Sequence, residues 1–185
     1  ISKIIVPINP DDLQAQTLSY THPEKLQFVA GGVERSGSVL AGLNIIRDRA
    51  HDDDWVLVHD VARPCVRLDD IQKLIETLSE DEVGGVLANQ VRDTIKQSIE
   101  HSFRVSSSLT RNQLWQALTP QMFRFGVLYQ ALNRAKKYKV SVTDESAAIE
   151  ALGHQPLLVL GAYDNIKITY PEDLALADYL LRQQV

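Results

Sequence analysis

Residues Trp55–Pro64 read WVLVHDVARP: four apolar residues, then a histidine, an aspartate and, three positions on, an arginine followed by proline. So short an apolar run, cut off by charge, predicts a β-strand over Trp55–His59 that is buried on both faces. In open α/β sheets ligands bind beyond the carboxyl ends of the strands. Asp60 and Arg63 fall just past such an end, on the loop before the next helix. A carboxylate there suits Mg²⁺, which takes one or two protein oxygens plus substrate phosphates, and a guanidinium grips a phosphate with its planar fork. An internal Asp60–Arg63 loop salt bridge is the competing reading.

Outward from this strand, short apolar runs alternate with longer amphipathic ones, as expected of a βα-repeating, largely parallel sheet covered on both faces. Strands are expected at Lys3–Pro7, Leu26–Ala30, Gly85–Asn89, Leu157–Leu160 and Ile166–Thr169. Helices are expected at Ser36–Arg49, with Val39, Leu40, Leu43 and Ile46 on one face, and at Asp69–Leu78, Phe125–Lys136 and Thr143–Leu152. A last helix follows TYPED, where Thr169 and Glu172 fit a capping box, and Thr143 reads as the cap of its own helix. Val91–Gln116 breaks the rhythm with strand-like alternation around a serine-rich tip, the pattern of a projecting hairpin. A two-stranded arm is marginal alone, so it is expected to pack on a second subunit.

The 185 residues fit one domain over 1–185, with an arm at about 91–116. A net charge of -5 argues against a basic nucleic-acid face. A single cysteine, Cys65, excludes an internal disulfide and fits a reducing compartment. The absence of a signal peptide or a long apolar run makes a cytoplasmic location, off the membrane, the expectation. The five histidines show no metal-ligand spacing, and His59 reads as a loop hydrogen-bonder.

Other candidates each carry two readings. AGGVERSGSV, Ala30–Val39, runs from a strand through paired glycines into a helix. Gly31, Gly32 and Ser38 therefore either let a nucleotide approach the backbone and helix start or form a simple capped turn. Lys167, between two isoleucines, is either a site residue beside Asp60 or an exposed edge lysine. Arg92, Thr94, Arg111 and Thr119 are polar residues assigned to the arm, where a solvated hairpin surface is the better reading from the residues alone.

Taken in order, GGVERSGSVLAGL, VLVHDVARP, VRDTIK, TRNQLWQALTPQ, VTDESAAIEALG and DNIKITYPEDLALAD closely resemble the 2-C-methyl-D-erythritol 4-phosphate cytidylyltransferases of the non-mevalonate isoprenoid pathway. The resemblance implies a Rossmann-like nucleotidyltransferase α/β fold and a homodimer locked by exchanged arms. It also implies CTP- and Mg²⁺-dependent transfer of CMP to methylerythritol phosphate. By resemblance, Gly31, Gly32 and Ser38 bind the nucleotide, Asp60 the metal and triphosphate, and Arg63 and Lys167 the reacting phosphates. Thr94, Arg111, Thr119 and Thr143 are implied to hold the sugar phosphate, with Arg111 and the arm threonines reaching across from the partner. The sister ribitol-5-phosphate cytidylyltransferases share the VRDTIK-type arm and form the alternative. The family's glycine-rich phosphate loop is expected ahead of Ile1. A chain truly lacking it is expected to be inactive, a non-catalytic nucleotide-binding remnant.

Overall fold

The computed structural model describes residues 1–184; Val185, the end of the expected 1–185 domain, lies outside the described residues. The described chain forms two compact units: Ile1–Val58 with Phe123–Pro156, and His59–Met122 with the stretch from Leu157 onward.

In the first unit, β1 (Ile4–Ile8) pairs in parallel with β2 (Leu26–Ala30), in a register that sets Ile8 opposite Ala30. Helix α1 (Arg35–Ile46) packs on this pair and buries Leu40 and Leu43, two of the four residues that defined its apolar face. Strand β3 (Trp55–Val58) stops one residue short of the expected end. The Asp52–Asp54 turn ahead of it is a docking point: its carbonyls accept from Phe125 N at 2.8 Å and Gly126 N at 2.9 Å. Those bonds hold the start of α3 (Phe125–Tyr138), whose last turn carries Lys136 and Lys137 against the negative end of the helix dipole. Helix α4 (Glu145–Glu150) packs on α3 and is shorter than Thr143–Leu152. Its cap is Asp144, which accepts from Ala147 N at 2.9 Å, so the capping role assigned to Thr143 is corrected. A carboxylate at the position before the helix takes the free N–H first.

In the second unit, α2 (Leu68–Leu78) buries Leu74 and Leu78 against β4 (Gly84–Gln90) and β8 (Leu157–Leu160), which pair in parallel. Six of the seven β4 residues are buried, as a two-face-covered strand requires. Strand β8 differs: Leu157, Leu158 and Leu160 are 44, 48 and 53% exposed, so the expected double cover fails at this edge. Two corrections concern strands. Ile166–Thr169 is not a strand; this stretch is anchored by Ile168 N on the Ala62 carbonyl at 2.8 Å. Strand β7 (Trp115–Arg124) went unread because Pro120 interrupts its apolar pattern, and proline inside a run argues against a strand. Within this unit the neighbours run β7–β4–β8.

The hairpin inside 91–116 is present: β5 (Lys96–Ser98) pairs antiparallel with β6 (Val105–Ser108). Val91 N closes its base on the Leu114 carbonyl at 3.0 Å, and every residue of both strands is exposed. Thr119 does not belong to this arm. It lies in β7 and is 4% exposed. Helix α5 (Asp173–Arg182) starts without the expected Thr169–Glu172 capping box. Asp173 Oδ2 accepts from Thr169 N and Tyr170 N instead, both at 2.9 Å, and these bonds lower its pKa. Cys65 is fully buried in the second unit, with burial pushing its thiol pKa up, as a structural cysteine should be.

Candidate functional site

The first unit builds a turn from glycines. Gly31 N donates to the Ile8 carbonyl at 2.8 Å, extending the β1–β2 ladder by one bond. A Cβ on Gly31 would stand 3.0 Å from Ser38 Oγ, and one on Gly32 would stand 2.7 Å from the Gly37 carbonyl carbon. The turn therefore closes onto the start of α1 only with glycine at position 32, while an added carbon at position 31 would crowd the Ser38 hydroxyl. Ser38 Oγ locks it by accepting from Gly32 N at 3.0 Å. Behind the turn, Arg35 Nη1 donates to Glu145 Oε1 at 2.6 Å, and Glu145 is fully buried. Burial raises the Glu145 pKa, while Arg35 opposes the shift. Its second oxygen, Oε2, is buried without a hydrogen-bond partner. Thr143 is exposed two residues earlier, so the ion pair ties its segment to the glycine turn.

The second unit gathers four of the expected residues in one network. Asp60 N donates to Thr119 Oγ1 at 3.0 Å, and Lys167 Nζ donates to Asp60 Oδ2 at 3.1 Å. This places the Lys167 ammonium against the Asp60 carboxylate. Arg63 Nη1 donates to the Asn165 carbonyl at 2.8 Å and Nη2 to the Ala117 carbonyl at 3.5 Å. His59 Nε2 lies 3.1 Å from the Arg63 carbonyl and Nδ1 3.0 Å from Thr119 Oγ1. Burial lowers the His59 pKa below its ordinary 6.5, more than the Arg63 carbonyl raises it.

The remaining two residues stand away from that network. Arg111 donates to the Arg92 carbonyl, and both line a pocket of about 360 Å³ with Gln90, Val91, Asn112 and Tyr163. The Arg92 guanidinium sits 3.2 Å from the Tyr163 ring centroid. Thr94 is exposed on the way into the hairpin.

Sequence reading missed Asn165. It is 1% exposed and donates from Nδ2 to the Thr119 carbonyl at 2.8 Å, so it joins Arg63 to Thr119. Asp70 was missed too. Buried at 4% exposure, it accepts from Ala162 N at 2.7 Å and holds the chain that leads to Lys167. The DNIKIT stretch held the signal for Asn165, an uncharged polar residue next to the Ile166 and Ile168 alternation.

Among the described residues no group of three or more His, Cys, Asp or Glu side chains is placed to hold a metal ion. A lone carboxylate at Asp60 still fits Mg²⁺, which keeps most of its shell for waters and phosphate oxygens. No helix among the described residues is long and apolar enough to cross a membrane.

The comparisons agree with one another. The family model described as "IspD: 2-C-methyl-D-erythritol 4-phosphate cytidylyltransferase" matches residues 1–183. A 2-C-methyl-D-erythritol 4-phosphate cytidylyltransferase of Yersinia pestis (strain Pestoides F) is 45% identical over 184 residues, 100% of this chain and 75% of that protein. The crystal structure of the Francisella tularensis enzyme of that name superposes with a TM-score of 0.85 at 37% identity, covering 97% of this chain and 80% of that one. The structure of the Thermus thermophilus enzyme gives 0.81 at 28% identity, covering 98% and 82%. With two α/β halves carrying the six motifs and a match along nearly the whole sequence, the chain belongs to the 2-C-methyl-D-erythritol 4-phosphate cytidylyltransferase family.

Proposed function

We propose that the chain transfers CMP from CTP to 2-C-methyl-D-erythritol 4-phosphate, giving 4-diphosphocytidyl-2-C-methyl-D-erythritol and pyrophosphate. The observation that carries this reading is the Asp60–Lys167 pair at 3.1 Å, backed by Thr119 and Arg63, in a chain that the family model matches over residues 1–183.

A phosphate monoester has a second pKa of about 6, so the sugar phosphate is already an anionic nucleophile at neutral pH. Its oxygen forms a bond to the α-phosphorus of CTP as the bond to the β-phosphate oxygen breaks, and the electron pair leaves with pyrophosphate. No general base is required. The obstacle is repulsion between two anions, which positive charge and in-line positioning overcome. Lys167 brings an ammonium that is 46% exposed and open to phosphate, while Asp60 keeps it in place. Arg63 adds a second cation, its fork braced by two carbonyls. Asp60 would hold Mg²⁺, which when bound supplies further positive charge to the triphosphate.

Gly31, Gly32 and Ser38 form the nucleotide-binding turn, whose shape is held by close packing of its own backbone and by the Ser38 hydroxyl. Thr94, Arg111 and Thr143 supply polar contacts to the sugar phosphate, and Thr119 acts from beneath Asp60. The hairpin favours a homodimer with exchanged arms, because Ile99 (50%), Phe103 (107%) and Val105 (58%) are exposed on it. The chemistry of a single buried thiol favours the cytoplasm.

The test is pyrophosphate release from CTP with each sugar phosphate in turn. Turnover with methylerythritol phosphate and little with ribitol 5-phosphate is expected. Preference for the ribitol compound would move the chain to the sister activity, and no turnover with either would favour a nucleotide-binding remnant.

A further inference from the structure

The loop after β3 contains a hydrogen-bond chain whose direction follows from counting hydrogens. The Arg63 carbonyl can only accept, so His59 Nε2, 3.1 Å away, carries the ring proton. Thr119 Oγ1 accepts from Asp60 N at 3.0 Å, which leaves its own hydrogen to donate. Nδ1 of a neutral imidazole protonated at Nε2 is an acceptor, and it lies 3.0 Å from that hydroxyl. The chain therefore runs from Asp60 N–H to Thr119 Oγ1, from the Thr119 hydroxyl to His59 Nδ1, and from His59 Nε2–H to the Arg63 carbonyl. The opposite tautomer turns a bare Nε2 toward the carbonyl lone pairs.

We propose that His59, as the Nε2-protonated tautomer, is a positioning residue for CMP transfer, fixing the backbone of Asp60 through Thr119 and the turn to Arg63 through its carbonyl. This rests on the transfer reading. Nothing in the chain is idle: Asp60 and Arg63 are the two ends of one brace, and the turn between them is closed by Arg63 N on the Asp60 carbonyl at 2.9 Å. The consequence for Thr119 is specific. At 4% exposure, with its hydroxyl hydrogen committed to His59, it serves the substrate through Asp60 rather than by donating to it.

Two measurements on the full chain test this. Imidazole ¹⁵N spectra at neutral pH, with His59→Asn used to identify the His59 signals, are expected to show a bare Nδ1 and a protonated Nε2. In kinetics, His59→Leu and Thr119→Val should each lower kcat about 10–100-fold, the usual loss for a group that orients a site residue. The KM for CTP should stay within about twofold, since ground-state binding is not the thing removed. The double variant should lose no more than the worse single one, because both cut the same chain. His59→Asn, whose side-chain oxygen takes the place of Nδ1 as acceptor, and Thr119→Ser should each recover part of kcat. A purely structural role would lower stability and leave kcat per folded molecule unchanged, and that result overturns the proposal. So do multiplicative losses in the double variant. A protonated Nδ1 also sinks it whatever the activity of the wild type, whereas absent pyrophosphate release from the wild type sinks the transfer reading.

Discussion

The turn at Gly31–Ser38 and the loop at His59–Arg63 are held in shape by opposite means. The first is shaped by what is missing: no Cβ fits at Gly32, and a single hydroxyl, Ser38 Oγ, holds the turn closed. The second is shaped by side chains from distant segments, since Thr119, Asn165 and Lys167 all converge on residues 59–63. A turn made by exclusion tolerates no added atom at its tightest position, Gly32, whereas a loop made by convergence tolerates additions but not the loss of a partner.

That contrast can be broken in order of expected effect. Removing the carboxylate in Asp60→Ala should lower kcat at least about a hundredfold, the scale of losing one preorganised electrostatic contact. Its partner Lys167 is 46% exposed, so no buried charge is stranded and thermal stability should stay close to wild type. Activity near wild type, read by pyrophosphate release, would remove Asp60 from the site. Next comes Gly32→Ala, whose Cβ meets the Gly37 backbone at 2.7 Å and should cost about 1–3 kcal/mol in urea unfolding, as overpacking does. Gly37→Ala sharpens the point, because its Cβ would meet only Gly32 Cα at 3.5 Å and so should be tolerated. Equal losses in the two variants would show that exclusion is not what shapes this turn.

The smallest effect concerns Glu145, which braces the glycine turn through Arg35. Its folded pKa is raised above the ordinary 4.5, chiefly by burial. Its contribution to stability is therefore complete below pH 4.5 and is lost as pH rises through the folded value. In Glu145→Gln that loss is absent, so the variant should gain on the wild type in urea midpoint between acidic and neutral pH. Parallel midpoint curves for the two proteins would show that Glu145 ionises as freely in the fold as in the unfolded chain.

Much of this architecture was legible because local rules set it. Leu26–Ala30 and Leu157–Leu160 are strands over the expected residues, since apolar runs bounded by turn residues have few other solutions. The glycine pair and Ser38 come together because all three lie within eight consecutive residues. The failures occurred where a distant partner outbid a local signal. Pro120 argued against a strand, yet β7 runs through it with Leu118, Met122 and Phe123 buried. Ile166–Thr169 had strand composition but no ladder: Ile168 N bonds the Ala62 carbonyl, while Lys167 and Thr169 bond the side chains of Asp60 and Asp173. Thr119 was placed on the arm by proximity in sequence, while its contacts to His59 and Asp60 span about sixty positions.

By itself, then, the sequence determined most of the element types and the glycine turn, and it offered Asp60, Arg63 and Lys167 as charged candidates. These depend on periodicity, on steric freedom and on intrinsic charge, all local properties. Only the tertiary structure decided that Lys167 faces Asp60, that Arg63 spends its fork on main-chain carbonyls, and that Asn165 and His59 set the geometry of the loop. Hydrogen bonds are directional and short, so which buried polar groups meet depends on how the chain closes over long separations.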